Sequence, residues 1–382
     1  MGYGNEQRHR FQCHECNEPI SFDLSAEGAD ITGAEFTDEE TGANGKTSYQ
    51  YLSPDFVANA EDARDPTYFG SMELMDRILK TPHAREALAK LPKGEMVKPD
   101  WFALANALPD WEKLFVCWRL ERSGKYFLSC QNLGNFDKDA GTSSWLAAVR
   151  LGFKLFGPNE RLLGESRRIL KSNPVEAARL VIEHGSRWAP DFKEAQFRIF
   201  ADFFKRWDAF SQVYLYVQNG IEMPGDPAAT SVDFEHVRGF YSSAQEFFSK
   251  QIGLIVAINN IGSGRKFDAL NSISLTKYFT TDNAKRCDSF KSNTEFASAV
   301  PEYDSGLRNA EAHGWLNVTP ENQTLFYLQG GNGARIELRY VDYLRKSVLM
   351  FKQICQLMQL ENILRMMALR DAYRLISFSA DD

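Results

Sequence analysis

Between Phe192 and Phe210 the chain places Phe197, Phe200, Phe203, Phe204 and Trp207 at helical intervals, so that on a helix these rings share one broad face. A face carrying that much aromatic surface must be buried, and a strand of this length would split the same rings between two faces. The segment therefore predicts a helix at the centre of a hydrophobic core. Stacking RNA bases is the other use of such a stripe, but core packing is the usual one. The same period recurs at Met72, Met75, Ile78 and Leu79, along Val237 to Val256, and at Leu344, Val348, Phe351, Ile354 and Met358. Together these segments predict a mainly α protein with small β elements, an α+β chain. Its 43% hydrophobic content and 382 residues suffice for a sizeable core.

Local signals divide the chain further. Asn173-Pro174-Val175-Glu176 combines a cap, a first-turn proline and a carboxylate near the positive helix end, which predicts a helix closed at Gly185. Thr324 to Leu328 and Arg335 to Tyr340 flank Gly330-Gly331-Asn332-Gly333, a strong hairpin signal. Leu114 to Leu120 and Tyr126 to Cys130, joined through Arg122-Ser123-Gly124-Lys125, read as a second hairpin. Met223-Pro224-Gly225-Asp226-Pro227 cannot continue a helix or a central strand and is the natural linker. Three segments follow: an acidic, loop-rich stretch over 1–65, a mixed and mainly helical region over 66–222, and a C-terminal domain over 231–382.

Charge is distributed unevenly. The formal net charge is −7, yet residues 1–65 hold 14 acidic and 4 basic side chains, while residues 231–382 hold 17 of each. A neutral C-terminal region does not attract nucleic acid through a global positive field, so any such binding there must be local. The acidic first segment serves solubility or masks a basic surface. Six scattered cysteines fit a reducing compartment, no apolar run approaches a membrane span, and the first ten residues are polar. The expectation is a cytoplasmic protein without a membrane partner.

The most specific chemistry lies in Arg308-Asn309-Ala310-Glu311-Ala312-His313, followed by Gly314, at the end of a helix expected to start near Pro301 or Glu302. Metal-free RNA cleavage needs a group to take the 2′-hydroxyl proton, a cation for the developing phosphorane and a proton for the departing 5′ oxygen. Histidine exchanges protons near neutral pH, and arginine matches phosphate oxygens with a planar fork. On a helix Arg308 and His313 lie about 140° apart, whereas Asn309 and His313 share a face.

This hexapeptide resembles the R-x4-6-H signature of the HEPN superfamily, including the Asn after its Arg. The resemblance spans about Ser231 to Asp382 and implies a helical bundle with an inserted β-hairpin. It implies a metal-independent endoribonuclease of the toxin or antiviral-defence kind, acting on cellular RNA as a homodimer or larger homo-oligomer. Arg308 and His313 would be catalytic and Asn309 the supporting polar residue, with no cofactor required. Family members silenced by nucleotidylation carry Tyr two residues after the His, where this chain has Trp315. Other members are non-catalytic modules that bind a partner protein or a nucleotide, and that reading, with a regulatory protein partner, stays open.

Weaker patterns remain. Cys13 and Cys16 are spaced as tetrahedral zinc prefers, but no second pair follows, so a structural zinc would need His9 or His14 with a distant residue or a second chain. The alternative is a plain turn. Arg161, Arg167, Arg168 and Lys171 form a basic cluster that suits RNA phosphates or a solvated helix face. His83, His184 and His236 have no carboxylate at a recognisable spacing and read as surface or core residues.

Overall fold

Asn173 accepts the Glu176 amide at 3.3 Å and Pro174 occupies the first turn, so that helix begins where the sequence places it. The computed structural model describes residues 6–12, 16, 18–25, 28–33, 57–59, 70–82, 85, 107–136, 143–281, 283–300, 302–319, 323–329 and 332–378. It is mainly helical with small antiparallel sheets, and its residues fall into two compact units, 1–106 with 219–231, and 107–218 with 232–382.

In the first unit, strands β1 (Glu6–Gln12), β2 (Pro19–Ser25) and β3 (Gly28–Thr32) form an antiparallel sheet in that order. β4 (Val57–Asn59) pairs antiparallel with β5 (Pro227–Ala229), a strand supplied from far along the chain. Helix α1 (Gly70–Leu79) buries Leu74 and Ile78; of the expected face Ile78 is inside, whereas Leu79 is exposed. Tyr49 to Leu52, an apolar island of the sequence, lies outside the described residues.

The second unit continues with α2 (Ala107–Arg122), α3 (Tyr126–Phe136), α4 (Ser144–Phe156), α5 (Glu160–Ser172), α6 (Pro174–Glu183), α7 (Ala189–Lys205) and α8 (Trp207–Asn219). Then come α9 (Phe234–Val237), α10 (Phe240–Gln251), α11 (Gly253–Gly262), α12 (Leu275–Tyr278), α13 (Thr294–Ala297) and α14 (Ser305–Ala312). Strands β6 (Asn317–Thr319), β7 (Thr324–Leu328) and β8 (Arg335–Arg339) form a second three-stranded sheet before α15 (Tyr340–Phe378). The expected hairpin is thus present with one extra strand at its edge. None of the described helices is long and apolar enough to cross a membrane.

The aromatic stripe is core. Phe203 stacks on Phe351 of α15 with centroids 3.8 Å apart, Phe200 meets the same ring at 4.8 Å, and Phe210 packs on Phe240 at 5.0 Å. Trp118 of α2 stacks on Phe197 at 4.8 Å. At Gly152 a Cβ would come 2.9 Å from the Cys355 Cβ, so glycine lets α4 and α15 approach closely.

Two expectations need correction. Leu114 to Leu120 and Tyr126 to Cys130 are not strands but the helices α2 and α3, joined by a turn at Gly124 with φ 73°. Leu114, Cys117 and Trp118 are buried at three- and four-residue spacing, a helical period that a dense apolar run obscures. Gly185 does not close α6. The backbone widens into a π turn over His184–Trp188 and continues into α7. The second unit takes in residues on both sides of the Pro-rich stretch after Met223, with Phe351 of α15 stacked on Phe203 of α7.

Candidate functional site around the α14 terminus

Asp304 caps α14 by accepting the Leu307 amide at 3.0 Å, a few residues later than the start expected near Pro301. The inward face carries Leu307, Ala310 and Glu311, all buried, while Asn309 and His313 are exposed. The helix closes with a Schellman motif: the Gly314 amide donates to the Glu311 carbonyl at 3.1 Å and the Trp315 amide to the Ala310 carbonyl at 2.7 Å. Gly314 has φ 71°, the left-handed conformation that this closure requires and that favours glycine. His313 is therefore the C-cap residue of the helix, and the chain turning back lays the Trp315 ring over its imidazole at 4.8 Å and 27°.

Glu311 fixes the helix to its neighbours. One carboxylate oxygen accepts the Gly239 amide at 2.7 Å and the other the Ser242 amide at 2.6 Å, both at the start of α10. A negative group there also meets the positive end of that helix. The buried Tyr343 hydroxyl of α15 donates to the same carboxylate, and burial followed by the Glu311 charge holds that phenol well above its ordinary titration range, so it remains a donor. Glu311 lay inside the hexapeptide but was not assigned a role by the sequence. Its spacing from Leu307 and Ala310 is the signal that places it on the buried face.

Arg308 is half-buried. Its Nη1 donates to Asn309 Oδ1 at 2.9 Å, and its Nη2 lies 3.4 Å from Glu246 Oε2 on α10. This ion pair is largely solvated and contributes about 0–1 kcal/mol, so an anionic ligand can compete for the guanidinium. Glu246 in turn lines a cleft of about 1140 Å³ floored by Trp118, Phe192 and Phe247. Its walls alternate basic groups such as Arg119, Lys205 and Lys250 with acidic ones such as Asp191 and Asp202, so it has no strong charge of one sign.

Other sequence candidates fall elsewhere. Cys13 lies outside the described residues and Cys16 is exposed; no cluster of three or more His, Cys, Asp or Glu able to hold a metal occurs among the described residues. Within the basic cluster Arg161 makes two bonds to Glu295 at 3.0 and 3.2 Å, and Arg168 two to Glu165 at 2.8 Å, so these two are committed to surface pairs. His236 has a carboxylate after all, Asp208 at 3.3 Å, and the buried His184 lies 3.8 Å from the buried Glu361. Both carboxylates come from other helices, which no local spacing reveals. His83 lies outside the described residues. No protein-family model, curated protein or solved structure matches the chain.

Proposed function

We propose that this protein is a metal-independent endoribonuclease whose site is built on the α14 terminus and completed by a second copy of the chain. The observation that carries this reading is the exposed His313 imidazole at the end of a helix held rigidly by Glu311, with Asn309 exposed beside it and Arg308 bonded to Asn309. An imidazole fixed at a helix end can take the 2′-hydroxyl proton or return one to the 5′ oxygen. The attacking 2′ oxygen then bonds to phosphorus, the bond from phosphorus to the 5′ oxygen breaks, and the products end in a cyclic phosphate and a 5′-hydroxyl. Guanidinium groups stabilise the extra charge on the phosphorane. Because Arg308 and His313 point to different sides of α14, a two-fold pairing of two such helices supplies one cleft with both groups from each copy.

The test incubates wild-type and His313→Ala protein with total RNA in chelator and maps the new ends. Wild type is expected to yield 5′-hydroxyl ends, and the variant to lose at least about 100-fold in rate with an unchanged melting temperature. Undiminished cleavage by the variant overturns the assignment. The second reading, a non-catalytic module that binds a partner protein or nucleotide, is favoured by the bonds Arg308 already makes within one copy. Wild-type protein that dimerises but never produces 5′-hydroxyl ends decides for it.

A further inference from the structure

The proposed site has one cation, Arg308, turned toward Glu246, while the imidazole lies around the helix from it. A different guanidinium stands beside Gly314, the residue that follows His313. Arg238 Nη2 comes within 3.6 Å of the position a Cβ would take on Gly314, the residue next to the imidazole. Arg238 arrives there through the same anchor that holds α14: the Glu311 carboxylate binds the amides of Gly239 and Ser242, the residues just after it. Arg206 steadies the preceding backbone by donating to the His236 carbonyl at 2.6 Å. Among the described residues Arg238 pairs with the exposed Glu235 at 3.3 Å, a solvated contact that a phosphate can replace.

Trp315 supplies the other half. Its side chain remains 42% exposed although it stacks on His313 at 4.8 Å, and its own backbone carbonyl accepts from the Asn317 side-chain Nδ2 at 3.0 Å. An indole with one side on an imidazole and the rest open to water is a platform for a flat, apolar ligand. Every nucleobase has such a face, but only an unpaired base can present it.

Resting on the ribonuclease reading above, we propose that Trp315 and Arg238 form a nucleotide subsite beside His313, in which the indole stacks one unpaired base and the guanidinium binds the adjoining phosphate. The substrate is then single-stranded RNA.

Binding is measured by fluorescence anisotropy with a 2′-O-methylated single-stranded oligonucleotide, which cannot be cleaved, and with its duplex. Trp315→Ala is expected to weaken single-strand binding about 10-fold or more, Trp315→Phe to restore most of it, and duplex binding to be unmoved. Arg238→Ala is expected to weaken binding and to reduce the salt dependence by about one ion. If wild type cleaves RNA through His313 while both alanine variants bind and cleave as it does, the subsite is wrong and the ribonuclease reading stands. If wild type neither binds nor cleaves RNA, both fall together.

Discussion

Glu311→Ala is expected to destabilise the protein by about 3–5 kcal/mol in urea denaturation, more than any substitution at the exposed motif residues. Glu311 is only 5% exposed, and three donors converge on it: the Gly239 and Ser242 amides and the Tyr343 hydroxyl. Alanine leaves the Gly239 and Ser242 amides without their acceptor in a largely buried place, each at a cost of about 1–3 kcal/mol, while the Tyr343 hydroxyl keeps only the Val237 carbonyl at 3.2 Å. Glu311→Gln keeps one acceptor oxygen but turns an amide toward a backbone donor, so an intermediate loss is expected. The contrast with His313→Ala separates anchor from chemistry, because that exposed imidazole can be removed without loss of stability. A Glu311→Ala variant within about 1 kcal/mol of wild type would show that the carboxylate is not the tie between α10, α14 and α15.

What could be read from the sequence followed the reach of its signals. Period and capping act over a few residues, so the aromatic helix, the cap at Asn173, the hairpin between Thr324 and Arg339 and the terminal helix were all legible. The helices α2 and α3 were not, because Phe115, Val116, Cys117 and Trp118 leave no polar gap from which to count a period. At the site, Arg308, Asn309 and His313 stood out as a pattern. Arg238 did not, because it reaches Gly314 from the link between α9 and α10, some seventy residues earlier in the chain. Trp315 was seen only as a departure from a pattern, since nothing local shows that Gly314 folds its ring back over His313.

The same limit hid a buried polar cluster of the second unit, which has its own measurable signature. Glu361 is fully buried and accepts the side-chain amides of Gln196 at 2.7 Å and Gln251 at 2.9 Å. The π turn brings the buried His184 to 3.8 Å from its other oxygen, and neither of those two atoms has a hydrogen-bond partner. Burial raises the Glu361 carboxyl to about 7, against the lowering pull of Gln251, Arg365 and Gln196. Burial, then the Arg365 charge, lowers His184 to about 4. The raised carboxyl contributes stability that is complete below its unfolded value of 4.5 and lost as pH rises toward 7. The depressed imidazole contributes stability that is complete above 6.5 and lost as pH falls toward 4. Over the shared window these slopes oppose each other, one proton against one, and their joint contribution is flat. Glu361→Gln removes one side, so relative to wild type its stability should fall by about 1.4 kcal/mol for each pH unit of acidification within that window. His184→Gln should tilt the profile the other way, gaining stability relative to wild type as pH falls. Urea denaturation of the three proteins between pH 4.5 and 6.5 reads both slopes. Parallel profiles would mean that the pair does not titrate as its burial requires, whereas opposite tilts would establish that His184 and Glu361 are both neutral in the folded core near the middle of that window.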